Sequence, residues 1–295
     1  MIDRIARRYL ASRIDYSRVD RIQEAPWVKT RYAGKSWFST AVQIWNRDGS
    51  RQSGFGTDRS PARAGIKALA EALERDTIAK NQMSGGVASS GVAMGLGQTP
   101  AAKRAHDELV ERDAYLRWTL GLTDVVRVLR DDTSVSLQFR SEEPSVVVAG
   151  VADLTNNCLP FGLGTGPDWE SARLKATAEL VASLVRHQNQ GRTCEQGGGT
   201  TGGDSQHQRL HLLTLNPTTR AAWISGKWPR RASQIPTFCS EQAAVSTTTF
   251  LPVLALRRSE RRIPPHLRWV TAIAQDSRFL KWTPEFLEQN AIPLG

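Results

Sequence analysis

Five glutamates, spread over three related stretches, are the residues here whose type and spacing could do chemistry. Residues 64–76, AGIKALAEALERD, recur 37 positions later as residues 101–113, AAKRAHDELVERD. Six positions are identical, and four of them form the string Glu-x-x-Glu-Arg-Asp. A weaker third copy starts at Ala172 and places Glu179 at the same Ala-to-Glu spacing. On a helix, residues three and four apart share a face. Glu71, Glu74 and Arg75 therefore line one side of the first helix, and Glu108, Glu111 and Arg112 one side of the second. If the helices pack as pseudo-equivalents, Glu71, Glu74, Glu108, Glu111 and Glu179 converge. Such a cluster repels itself unless protons or cations neutralise it. Magnesium suits it, because that ion takes oxygen ligands and binds through a few carboxylates plus phosphates. Arg75 and Arg112 could then meet phosphate oxygens with their forked donors. One Glu-x-x-Glu-Arg alone reads as an exposed, salt-bridged helix face. Recurrence behind a shared upstream pattern argues for more.

That upstream pattern is glycine-rich. It reads GFGT at 54–57, SSGVAMGLG at 89–97 and FGLGTG at 161–166. These segments are expected to be turns whose amides approach a phosphate at a helix N-terminus. Neither a Rossmann fingerprint nor a Gly-x-x-x-x-Gly-Lys-Ser/Thr loop occurs. Each copy is predicted to be a helix, being rich in Ala, Leu, Glu, Lys and Arg with no interior proline. Pro61 and Pro100 sit near two of the starts, where a missing N–H is harmless. Strands are expected over 37–45 and 145–154, and further on over 210–215 and 247–256. The fold class is therefore α+β, built from repeated strand–glycine-rich turn–helix units. Residues 190–208 are polar and glycine-rich and read as a loop, and 276–287 could form a short helix.

At these residues the chain resembles the YcaO superfamily. Residues 54–75 match the glycine-rich segment followed by Ala…Glu-x-x-Glu-Arg. Residues 89–113 match the Ser-Gly…Ala-x-Gly segment leading to Glu-x-x-Glu-Arg-Asp. Residues 178–183 match the Glu-x-x-x-Gln helix, with Ser183 where glutamine is usual. The resemblance covers about residues 20–185. It implies one YcaO-like domain over 1–295, with strands and a tail over 209–295 after the loop, and a central cleft for ATP and Mg2+. It implies a magnesium set of Glu71, Glu74, Glu108, Glu111 and Glu179. Arg75, Arg112, Glu74 and Glu111 would lie about the phosphates, and Ser89 and Ser90 would contact the nucleotide. No catalytic residue is assigned. The implied activity is ATP-dependent modification of a ribosomally made precursor peptide by phosphorylation of a backbone amide oxygen. Azolines, thioamides or amidines are the products, depending on the nucleophile. The implied partners are the precursor peptide, a separate protein that binds its leader and, for azoles, a flavin-dependent dehydrogenase. Three departures mark a compact, divergent member. The two motifs lie unusually close, Lys67 replaces a common serine, and residues 290–295 lack a proline-rich ending. The alternative they raise is a catalytically degenerate scaffold that binds nucleotide or peptide.

Composition sets the outer bounds. Hydrophobic content of 40% and charged content of 23% are ordinary for a globular protein. No apolar run approaches the ~18 residues of a membrane span, and the N-terminus lacks a signal-like apolar core. Cys158, Cys194 and Cys239 are odd in number and far apart, so free thiols in a reducing cytoplasm are expected. The five histidines give no metal-site spacing. The net charge of +10 favours polyanionic partners, with basic runs at 4–21 and 257–262. A nucleic-acid-binding protein is the more distant rival, disfavoured because aromatics are not convincingly interleaved with those runs.

Overall fold

A computed structural model describes residues 12–81, 91–132, 134–141, 145–152, 160–193, 225–226, 246–253, 255, 257 and 262–276. The chain forms two compact units, one of Met1–Leu109 with Val245–Asp276, the other of Val110–Ala244 with Ser277–Gly295.

In the first unit, β1 (Val19–Glu24) and β2 (Val28–Tyr32) pair one side of the long β3 (Lys35–Asn46), and β4 (Arg51–Asp58) pairs the other. Helix α1 (Pro61–Lys80) packs on β3 and β4. It opens at Ser60, whose hydroxyl accepts the Arg63 N–H, with Pro61 in the first turn. A second sheet joins β5 (Val92–Leu96) to β11 (Trp269–Asp276), and β11 to β10 (Ser246–Pro252), all antiparallel. The core between them gathers Val42, Ile44, Ala68, Leu73, Met94 and Val253.

Helix α2 (Gln98–Thr119) starts in the first unit, and the boundary falls within it after Leu109. In the second unit β6 (Val125–Arg130), β7 (Ser134–Phe139), β8 (Val146–Ala152) and β9 (Phe161–Gly166) form an antiparallel meander. Tyr115 and Trp118 of α2 pack against Phe139 and Phe161, with Tyr115–Phe161 ring centroids 5.7 Å apart. Helix α3 (Trp169–Thr193) packs on β8 and β9. Asp168 opens it by accepting the Ser171 N–H at 2.8 Å, which holds that carboxyl below its usual pKa.

The mixed α+β content and the expected strands at 37–45 and 145–154 are present, as β3 and β8. The glycine-rich segments are mostly strand rather than turn, although Gly91 and Gly97, at φ +82° and +83°, bend the chain at either end of β5. Gly54 and Gly56 lie within β4, Gly95 within β5, and Gly162, Gly164 and Gly166 within β9. Their reason is close approach of helix to strand. A Cβ on Gly54 would sit 2.1 Å from Ala68 O, and one on Gly164 would sit 2.3 Å from Ala176 N. The small residues on the helix side keep the same spacing, Ala64, Ala68 and Ala72 in α1 and Ala172 and Ala176 in α3. Residues 190–193, expected to open a loop, continue helix α3 to Thr193, and residues 194–208 lie outside the described residues. The strand expected over 247–256 ends at Pro252, and the one over 210–215 lies outside the described residues. The helix expected from 276 begins on a strand residue, Asp276, and the rest of it is likewise outside.

Candidate functional site

The first copy of the motif presents its charged row along the free edge of β4. Among the described residues β4 pairs only with β3. Its outward backbone groups are met by side chains one helical turn apart. Arg75 donates to Ser53 O at 2.8 Å, the Phe55 N–H donates to Glu71 Oε2 at 2.7 Å, and Lys67 donates to Thr57 O at 3.1 Å. Arg75 also pairs with the other oxygen of Glu71, at 2.5 Å. Lys67, Glu71 and Arg75 thus stand in for the missing neighbour strand, a common way to cover a sheet edge. Both oxygens of Glu71 are taken.

Glu74, one position round the helix, faces elsewhere. One oxygen accepts the Met94 N–H of β5 at 2.9 Å; the other accepts nothing among the described residues. Burial, with the Glu71 carboxylate beside it, pushes the Glu74 carboxyl up to about 8, against the pull of Met94, Arg75 and Arg104. A carboxyl held this way takes up either a proton or a cation.

The second copy shows the same local device. Arg104 stands where Lys67 stands in the first copy, and it donates to Met94 O at 3.2 Å, the counterpart of Lys67 on Thr57 O. Glu108 is half-buried on the α2 face that also carries Glu111 and Arg112. Glu111 has a side chain only 15% exposed, 3.9 Å from Arg112 Nε, and accepts the Thr165 hydroxyl at 3.1 Å. Its pKa is raised by burial, with Arg112 opposing and Glu179 adding to the rise. Glu179 itself is exposed on α3.

Two pairs of the expected acids lie each within one unit, and Glu108 belongs to the first unit. Glu71 and Glu74 are close enough to repel in the first unit, and Glu111 and Glu179 in the second. Among the described residues no group of three or more His, Cys, Asp or Glu is placed to hold a metal by itself. Ser89 and Ser90 lie outside the described residues, as do all three cysteines. The reading from sequence missed Arg104 and Thr165 as site-shaping residues. The signal existed: Arg104 aligns with Lys67 across the repeat, and Gly162-Leu163-Gly164-Thr165 repeats Gly54-Phe55-Gly56-Thr57. The motif aspartates are structural. Asp76 is buried and accepts from Asn46 at 2.6 Å, and Asp113 is buried and accepts from Arg117 at 2.7 Å.

No family model and no curated protein sequence matches the chain. Among solved structures it is similar to a structure of YcaO from Methanopyrus kandleri bound with AMPPCP and Mg2+. The match has a TM-score of 0.51 at 12% identity and covers 86% of this chain and 85% of that one. At such identity the likeness speaks to architecture: the chain has a YcaO-like fold. No helix among the described residues is long and apolar enough to cross a membrane.

Proposed function

We propose that this protein binds ATP with magnesium held by its motif glutamates and uses it to activate a backbone amide of a precursor peptide. The observation that carries the reading is Glu74, a half-buried carboxylate with one oxygen uncommitted and a pKa pushed up to about 8. Glu111 in the second unit is likewise raised by burial, though one of its oxygens accepts the Thr165 hydroxyl and the other lies 3.9 Å from Arg112 Nε. The donor set fits the ion: oxygen only, partly desolvated and self-repelling, so that a divalent cation would relieve what protons now relieve. Glu74 and Glu111 are the leading ligands of this set. Glu179 and Glu108 would assist, while Glu71 would have to release Arg75 or Phe55 to join. Arg112 would face phosphate oxygens, and Ser89 or Ser90 would contact the nucleotide. The YcaO-like fold supports the same reading, since the similar structure was bound with AMPPCP and Mg2+.

In the proposed reaction the amide oxygen takes the terminal phosphoryl group and ADP departs. A side-chain or external nucleophile then adds at the amide carbon, and the oxygen leaves as phosphate. Magnesium, when bound, would offset charge on the transferring phosphoryl. A leader-binding partner protein would deliver the peptide, and a flavin-dependent dehydrogenase would follow where azoles are made. The alternative, a scaffold that binds without turnover, is favoured by one observation: Lys67, Glu71 and Arg75 are committed to the β4 edge.

Titration calorimetry with Mg-ATP on the wild type, Glu74→Gln and Glu111→Gln tests the binding. Loss of at least roughly tenfold in affinity, about 1.4 kcal/mol, is expected for each variant. Wild-type affinity in both would sink the reading. A phosphate-release assay with candidate peptide and partner then separates enzyme from scaffold.

A further inference from the structure

The β3–β4 hairpin end of the first sheet carries four arginines that the ATP reading does not use. Arg21 of β1, Trp45 of β3 and Arg51 of β4 stand directly opposite one another in register. Both guanidiniums lie over the indole, with Cζ 4.8 Å and 5.1 Å from its centroid. The Arg47 N–H donates to Arg18 O at 3.1 Å, which sets those two side chains next to each other at the same end. Arg18, Arg21, Arg47 and Arg51 are all exposed. Among the described residues none of the four makes a side-chain hydrogen bond or an ion pair. Beside Arg18 and Arg47 opens a cavity of about 260 Å³, whose lining includes Asn46, Asp48, Asp76 and Lys80. The acids here are Asp48, which pairs with Lys80, the buried Asp76, which is tied to Asn46 and feels Arg18, Asp15, which accepts the Ser17 hydroxyl, and the exposed Asp20 of β1. The surplus is positive.

We propose that this hairpin end is a docking surface for an acidic peptide segment, its carboxylates pairing with Arg21 and Arg51 across the sheet and with Arg18 and Arg47 at the cavity. Stacking on Trp45 fixes the two guanidiniums while leaving their N–H edges outward. Less rotamer freedom is then lost when a carboxylate arrives, and a planar fork meets it in two parallel bonds. The adjacent row, Gln23 opposite Gln43, offers amide donors and acceptors suited to a peptide backbone. Nucleic acid fits less well. Arg21 and Arg51 both lie on the ring of Trp45, so that indole is closed to stacking bases, and among the described residues the exposed aromatic beside Arg18 is a single tyrosine, Tyr16. The surface stands independently of the ATP reading.

The experiment uses the full chain and a short fluorescein-labelled peptide alternating Glu and Ser, read by anisotropy at low salt. Binding is expected to weaken about tenfold in Arg21→Gln/Arg51→Gln and, separately, in Arg18→Gln/Arg47→Gln. A matched Lys/Ser peptide should not bind, and Mg-ATP affinity should stay at its wild-type value in both variants. Should the sheet-face variant fail to fold, the cavity-rim variant carries the same expectation alone. Three outcomes overturn the proposal: no binding of the acidic peptide, unchanged binding in a folded variant, or tighter arginine-dependent binding of an oligouridylate.

Discussion

At the scale of the residue, the two glutamates of the first motif have different chemical situations despite their identical type. Glu71 holds the Phe55 N–H and the Arg75 guanidinium, whereas Glu74 is desolvated beside a like charge. A carboxyl whose folded pKa is pushed up to about 8 from the ordinary 4.5 is bound to its proton in the folded chain at pH values where the unfolded chain has lost it. Its contribution to stability is therefore complete below about pH 4.5, declines through the interval up to 8, and is gone above it. A tenfold difference in proton affinity between folded and unfolded chain is worth about 1.4 kcal/mol, so the whole effect amounts to a few kcal/mol at most. Thermal melts of the metal-free protein across that interval should show stability falling with pH, and Glu74→Gln should flatten the fall and leave the protein more stable at pH 8. On the proposed reading, magnesium would compete with the same proton. Calorimetry of Mg-ATP binding at pH 7 in buffers of differing ionisation enthalpy should reveal proton release in the wild type, reduced in Glu74→Gln. An equal pH slope in both proteins would show that Glu74 is an ordinary surface acid.

At the scale of the element, the charged row of α1 completes a sheet edge as well as serving any site. Glu71→Ala leaves the Phe55 N–H without its acceptor and frees Arg75 from its ion pair, at a cost of about 1–3 kcal/mol. Chemical denaturation should show that loss without magnesium or nucleotide present; an unchanged midpoint would mean that water replaces the carboxylate without penalty. The contrast with Glu74→Gln, expected to stabilise, separates the roles of two acids on one helix. This division was only half legible in the sequence. Helical periodicity and the repeat placed α1, α2 and α3, since alanine-rich, proline-free stretches leave little choice of structure. The glycines pointed the wrong way, because glycine ordinarily marks a turn. Gly91 and Gly97 do bend the chain, but Gly54, Gly56, Gly162 and Gly164 lie inside strands, where alanine-lined helices approach so closely that a Cβ on Gly56 would come within 2.0 Å of Ala64 O. The β5 strand was hidden for the same reason, its Gly95 lying against Ala101. The edge-capping role of Lys67, Glu71 and Arg75 could not be read from spacing at all. A row of alternating charges one turn apart looks the same whether it meets water, metal or a strand.

At the scale of the whole molecule, the net charge of +10 means that any polyanion will bind to some degree, ATP included. A test of function must separate this general attraction from a built site. General attraction acts between exposed charges and is screened as the Debye length shrinks from about 10 Å at 0.1 M salt toward about 3 Å at 1 M. It also has no use for magnesium, which lowers the charge of the nucleotide and should weaken it. The proposed contacts through Glu74 and Glu111 would behave in the opposite sense: they would need the divalent ion, since carboxylates repel bare phosphate, and partial burial would spare them much of the screening. Raising KCl to about 0.5 M should therefore reduce retention on a generic RNA or heparin column by orders of magnitude. Mg-ATP affinity should fall only severalfold over the same range and vanish on addition of EDTA. If nucleotide binding instead followed the salt dependence of RNA and survived EDTA, the basic surface would account for it, and the paired acids would be left with structure alone.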